Sequence, residues 1–240
     1  NQKKDYVLRW IPKYSIIPLI TALVLNTLVY SGTMVLCKDY IIMILQQHLT
    51  DGTGDPEFTS IYLYMYVFWV VNYIMTARIS REHMYRFLTA DYLSRIVCGI
   101  FFVFLPTTLV RPEITGTGFW DQALRFVYSI DQSANLFPSI HCLVSWFCYI
   151  GIRHQKKIPG GIRDFSLVFA ILVCISTQVT KQHYIIDVFG GIILSEVCYL
   201  MEERPICIKD SGKVFEKINQ RVGLERKSVK YKGKLSEIKG

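Results

Sequence analysis

Two long stretches of the chain contain no charged residue, Ile16 to Cys37 and Phe58 to Ala77. A helix rising ~1.5 Å per residue needs about 20 apolar residues to cross a hydrocarbon core ~30 Å thick. Each stretch meets that length, and a soluble core helix rarely stays apolar on every face for so long. Four shorter apolar stretches follow: Ile96 to Val110, Ser139 to Ile152, Phe165 to Thr180, and Val188 to Met201 with Glu196 inside it. Each can lengthen by burying flanking polar groups and letting Lys or Arg stems snorkel. The pattern predicts an all-α, six-span transmembrane helical bundle. Period-2 alternation is missing, which excludes a β-barrel. The expected organisation is a cytoplasmic lead-in over 1–15, a membrane domain over 16–201 and a basic, mobile tail over 202–240. Tyr6, Trp10 and Tyr14 suit an interface belt. A turn cluster, Asp51 to Pro56, follows span one, and a short interfacial helix is expected over Asp121 to Ile130.

The net charge of +8 could point to nucleic acid, but its distribution argues otherwise. With the N-terminus in the cytoplasm, only Lys38, Arg111, Arg125 and Lys181 of the 27 basic residues fall on the outer side. That bias orients the chain as a multi-pass protein of the cell membrane. The basic tail then reads as a solvated extension beside anionic lipid, and no nucleic-acid partner is expected. The seven cysteines show neither zinc-finger nor disulfide-framework spacing and read as small apolar packers. The chain starts at Asn1, and its first residues carry no cleavable signal pattern.

The same topology brings a set of polar residues to one membrane depth. Arg111-Pro112 closes span three. Phe137-Pro138-Ser139-Ile140-His141 opens span four. Ser176 to Asp187 links spans five and six and holds Lys181 and His183. These residue types suit phosphoryl transfer. Arg111 can fork onto phosphate oxygens. A histidine can attack phosphorus. His183 and Asp187 stand four apart on one helical face, so the carboxylate can orient the ring. His141 can protonate a leaving alkoxide. Ser139 sits at a helix start, where free N–H groups favour anions. Blander readings stand beside these. The Pro-Ser-x-His run can be a helix cap, Ser176 a packing residue, and His183 with Asp187 a metal pair completed by His48 or Asp131. Glu196 faces away from Asp187 and is expected to be structural.

In order and spacing these motifs resemble the type 2 phosphatidic acid phosphatase superfamily over roughly 96–200. Its first motif ends in Arg-Pro, here Arg111-Pro112. Its second is Pro-Ser-x-His, here Pro138 to His141. Its third has Ser, His and Asp, here Ser176, His183 and Asp187. The resemblance implies a six-helix fold with an outward-facing site, no metal or other cofactor, His183 as nucleophile and His141 as acid. Two cations of the family pattern are absent, since Phe104 and Thr177 stand in their places. Lys181 and Arg125 are the candidate replacements. The Thr180–Asp187 stretch is more similar to the branch that includes inositol phosphorylceramide and sphingomyelin synthases, whose acceptor is an alcohol.

The expectation is therefore a lipid phosphatase working through a phosphohistidine. Its catalytic residues are His141, His183 and Asp187, and Arg111, Ser139 and Lys181 bind phosphate. Its partners are a lipid phosphate substrate and membrane lipids, with a homo-oligomer left open. The alternatives are a lipid phosphotransferase with an alcohol acceptor and a non-catalytic membrane scaffold or transporter.

Overall fold

The computed structural model describes residues 11–36, 55–202 and 205–223, with side chains in the last segment from 212 onward. Tyr6, Trp10, Cys37, His48, the turn residues 51–54 and the tail beyond 223 lie outside the described residues, as does the side chain of Cys207. The helices are α1 (Lys13–Leu36), α2 (Thr59–Ile79), α3 (Arg81–Phe104), α4 (Phe119–Ile130), α5 (Ile140–Ile150), α6 (Gly160–Val179), α7 (Ile185–Glu202) and α8 (Pro205–Arg221). A 3₁₀ turn, Pro56–Phe58, leads into α2. Among the described residues there is no strand, only an isolated bridge between Thr108 and Ala134.

Four helices are long and apolar enough to cross a membrane: α1, α2 with its 3₁₀ turn, α3 and α6. They turn many large apolar side chains outward, Leu23, Val67, Ile100 and Val168 among them. In water such a surface would drive aggregation, whereas lipid tails solvate it. The other two expected spans are different in kind. Helix α5 has 11 residues, almost all buried. Helix α7 has 18 residues and carries Asp187, Glu196 and Glu202.

The expected span Ile96–Val110 is corrected to α3, which starts fifteen residues earlier. Ser80 begins it, with an extended backbone and a side chain that accepts the His83 N–H at 3.1 Å. By charge alone, Arg95 limits the apolar run that follows it. Arg95 instead lies buried in mid-helix, 2.9 Å from Asp91 and 2.8 Å from Asn26 of α1. A buried charge persists where a partner and further hydrogen bonds compensate it. Tyr73 of α2 adds its hydroxyl to the same carboxylate at 3.1 Å. Helix α3 is thus tied to both neighbours by polar contacts, and it also packs against α5, α7 and α8.

A second correction concerns the mobile tail. Residues 205–221 form α8, which packs on α3. Phe215 stacks on Tyr85 at 4.9 Å, and the Asn219 amide donates to Tyr14 O and Tyr85 Oη, both at 3.0 Å. The expected interfacial helix is α4, two residues longer at its start than foreseen. Asp121 accepts the Gly118 N–H there at 2.9 Å.

Helix α7 meets the start of α5 at unusually close range. A Cβ on Gly191 would fall 2.6 Å from Ser139 O and 3.1 Å from Leu143 N. Only glycine permits this approach of two helices. Gly191→Ala should therefore cost ~1–3 kcal/mol through backbone overpacking. Gly161→Ala, on an exposed turn of α6 with nothing within 4 Å, should be neutral or slightly stabilising. Thermal denaturation of the two variants in one detergent checks this. Equal melting temperatures would remove the close approach from the account.

Candidate active site

Three chain turns converge at one end of the bundle. Phe137–Pro138–Ser139 enters α5. Ser139 caps the helix by accepting the Cys142 N–H at 3.3 Å, and its own N–H donates to Asp187 O at 3.0 Å. The expected role of the Ser139 N–H in phosphate binding is corrected accordingly, because that group ties α5 to α7. His141 lies one turn into the cap, buried against Tyr62 and stacked on Trp69 with ring centroids 6.0 Å apart.

The second turn closes α6. The N–H groups of Gln182 and Lys181 donate to Thr177 O at 2.9 Å and Gln178 O at 3.1 Å. This is a Schellman closure, with Lys181 at the left-handed position that glycine usually fills. Its φ is +54°, and it is 1% exposed. A left-handed non-glycine residue costs ~1–2 kcal/mol. The closure turns His183 inward.

The third contribution is the start of α7. Asp187 Oδ2 accepts the Tyr184 N–H at 2.8 Å, which caps the helix. The same oxygen lies 3.4 Å from His183 Nδ1, within ion-pair distance but not aligned as a hydrogen bond. Catalytic hydrogen bonds are often this loose before substrate arrives. Burial pushes the His183 imidazole down, but the Asp187 carboxylate beside it outweighs that and holds the ring above the usual histidine range.

His183 Nε2 faces His141 Nδ1 at 3.2 Å. His141 Nε2 lies 2.8 Å from Tyr62 Oη, which donates to Asp131 Oδ2 at 2.6 Å, while Tyr30 donates to Oδ1 at 2.6 Å. A continuous line thus runs Asp131–Tyr62–His141–His183–Asp187, with a carboxylate at each end. Burial raises the Asp131 carboxyl, but the histidines and the two hydroxyls bring it below its ordinary range. Tyr62 was missed as a functional residue, and Asp131 was named only as a possible metal ligand. Tyr62 sits in an uncharged span whose only polar mark is its hydroxyl, and Asp131 reads as a loop acid. Both oxygens of Asp131, offered beside His48 in the rival metal reading, accept from hydroxyls. Among the described residues no three His, Cys, Asp or Glu form a metal-binding group.

Arg111 reaches the same end. Its guanidinium donates to Asp131 O at 2.5 Å, Tyr128 O at 3.2 Å and Gln182 Oε1 at 2.8 Å, and stacks on Tyr128 at 4.4 Å. Its Nε and the Gln182 Nε2 are buried without a partner. Gln182 lines the small cavity beside His141 and His183. Arg125, proposed as a replacement cation, instead bonds the loop carbonyls of Ile114 and Gly116 on the exposed rim. The Ser176 hydroxyl turns back to Val173 O at 2.8 Å, which is its packing reading. Glu196 forks onto Arg153 at 2.5 and 2.9 Å and accepts from Trp146 at 2.8 Å. It is a structural acid toward the other end of α7.

An apolar helical bundle with two facing imidazoles, each backed by a carboxylate, defines a membrane protein built around a buried pair of histidines. A family model described as the PAP2 superfamily matches residues 43–201, and the chain belongs to that superfamily, the type 2 phosphatidic acid phosphatases. Its members are phosphatases and phosphotransferases, which sets the broad type of activity. No curated protein and no solved structure matched the chain.

Lys181→Gly tests the phosphate-binding role expected of that position. It should relieve the left-handed strain and raise the melting temperature by a few degrees, while reducing turnover at least tenfold. Higher stability with full turnover would leave Lys181 without a role in the site.

Proposed function

We propose that the chain crosses the membrane six times and hydrolyses a phosphomonoester or pyrophosphate of a lipid through a phosphohistidine at His183. The observation that carries this reading is the contact between His183 Nε2 and His141 Nδ1, with Asp187 beside the first ring and Tyr62 linking the second to Asp131. Helix α7, and α5 together with the turns that flank it, make the other two crossings, which length and composition leave open. The site faces the extracytoplasmic side of the cell membrane.

The phosphoryl group enters between the two rings. At 3.2 Å they leave no room for it. An in-line arrangement needs Nε2 about 3–3.5 Å from phosphorus, with a hydrogen bond beyond. Substrate therefore parts the histidines. His183 Nε2, neutral and held by Asp187 through Nδ1, forms the N–P bond as the P–O bond to the lipid breaks. His141, protonated at Nδ1, gives that proton to the departing oxygen. Tyr62 and Asp131 hold the opposite edge of the ring and stabilise its charged form. Arg111 Nε, the Lys181 ammonium and the Ser139 hydroxyl neutralise the phosphoryl oxygens. Water then attacks phosphorus, His141 takes its proton, and His183 leaves with its electron pair restored.

The acceptor decides between phosphatase and transferase. Incubating purified protein with lipid phosphates and isoprenoid phosphates, with and without excess EDTA, should release free phosphate in both conditions. A new phosphorylated lipid in place of phosphate would assign an alcohol acceptor. Loss of all activity on chelation, restored by one metal, would overturn the metal-free reading.

His141→Ala should slow an alkyl phosphate ~10²–10⁴-fold yet spare a nitrophenyl ester, whose leaving group needs no proton. Equal losses on both substrates would end this division of roles. The acid limb of kcat/KM reports the neutral fraction of His183, so it should lie above the usual histidine range. Asp187→Asn removes the charge that raises it. The limb should move to lower pH while kcat falls, and a limb that stays or moves up would contradict the pairing. Orientation is read at Gln132, which is exposed beside the site. In a cysteine-free background, Gln132→Cys should react with an impermeant thiol reagent in intact cells. Labelling only after lysis would reverse the topology.

A further inference from the structure

An apolar groove of about 390 Å³ lies between α6 and α7. That is within the ~300–1,000 Å³ of small-molecule sites. Ile171 and Ile175 form its outward rim, and Trp146, Val188 and Ile192 line it with them. Lipid tails would wet such walls without any special device. One residue does not fit that description. Gln178 also lines the groove, near the end of α6 that carries the Lys181 turn. It is 8% exposed, and its Nε2 has no hydrogen-bond partner. A buried amide N–H₂ among apolar walls is costly unless an acceptor meets it.

The groove lies behind the wall of the site. Cys174 and Val188 pack on Cys142, the residue after His141. Thr177, beside Gln178, accepts the His183 N–H through its carbonyl at 3.2 Å, and Gln178 O accepts the Lys181 N–H. A chain lying in the groove would therefore bring its polar end to the depth of His183. In an acyl lipid phosphate the carbonyl stands only a few bonds from phosphorus, on the path from phosphate to hydrocarbon.

We propose that this groove seats an acyl chain of the substrate lipid and that the Gln178 amide donates a hydrogen bond to the carbonyl of that chain. The inference rests on the phosphoryl-transfer reading above and narrows it. The substrate is a lipid whose chain is joined through an ester or an amide. A polyprenyl phosphate has no carbonyl and leaves Gln178 unsatisfied.

Two measurements on the full chain test it, one independent of turnover. A diacyl lipid phosphate carrying a photoreactive diazirine in its acyl chain should label peptides from 171–179 or 185–192. A dialkyl ether probe of equal length should label them less. Gln178→Leu should bring the diacyl probe down to the ether level. Labelling elsewhere, or equal labelling by both probes in the unmodified protein, overturns the proposal whether or not the protein turns over any substrate. In kinetics, an ester-linked or an amide-linked lipid phosphate should exceed its ether counterpart in kcat/KM by about five- to tenfold, the worth of one hydrogen bond. The preferred linkage names the source of the carbonyl, and Gln178→Leu should abolish the preference. Turnover of ester, amide and ether lipids alike overturns the carbonyl contact and leaves the phosphatase reading intact. Lack of turnover on every lipid, with labelling as expected, removes the phosphatase reading and keeps the acyl-chain site.

Discussion

The backbone hydrogen bond from Ser139 N–H to Asp187 O joins the start of α5 to the start of α7, and the rest of the site is arranged by it. It forms because Gly191 lets one helix backbone lie directly on the other. Once the two helix starts are locked, His141 in the first turn of α5 and His183 just ahead of α7 have little choice but to face each other. Asp187 strengthens the arrangement from three directions. Its carbonyl receives Ser139, its carboxylate caps α7 through Tyr184, and the same oxygen stands by His183. A residue bound this way cannot drift, so the charge beside the imidazole is preorganised before substrate arrives.

The opposite side of the histidine pair is held by a different part of the chain. Asp131 ends α4, and its carboxylate takes hydroxyls from Tyr30 of α1 and Tyr62 of α2. Helix α4 turns Phe119, Phe126 and Ile130 outward, as an interfacial helix would. The network around His141 therefore gathers contributions from helices far apart in sequence. Toward the other end, charged residues serve architecture: Asp91 with Arg95, and Glu196 with Arg153. In a hydrocarbon surrounding, such pairs keep buried charge compensated.

How much of this was legible in the sequence depends on whether the signal was local. His183 and Asp187 stand four apart, and Pro138-Ser139-x-His141 is a compact motif, so short-range reasoning reached them. Topology carried Arg111 and Lys181 to the same end. Tyr62 was not reached, and Asp131 only as a possible metal ligand, because their pairing spans 69 positions. Arg95 misled the span boundaries because a charge reads as an end unless its partner is known. Arg125 was a reasonable substitute cation by position, yet loop carbonyls nearer to it claim its donors. Helix α8 was hidden because polar, Lys-rich composition looks alike in a mobile tail and in a helix that buries little more than Phe215 and Asn219.

The central claim is that His183 carries the phosphoryl group in the intermediate. Its most direct test is to mix the protein with a lipid phosphate labelled at phosphorus, quench in alkali, where a phosphohistidine survives, and map the label by peptide. The account places it on the peptide containing His183, with none on His141 and none in His183→Ala. Label on His141, or turnover that continues in His183→Ala, would contradict it.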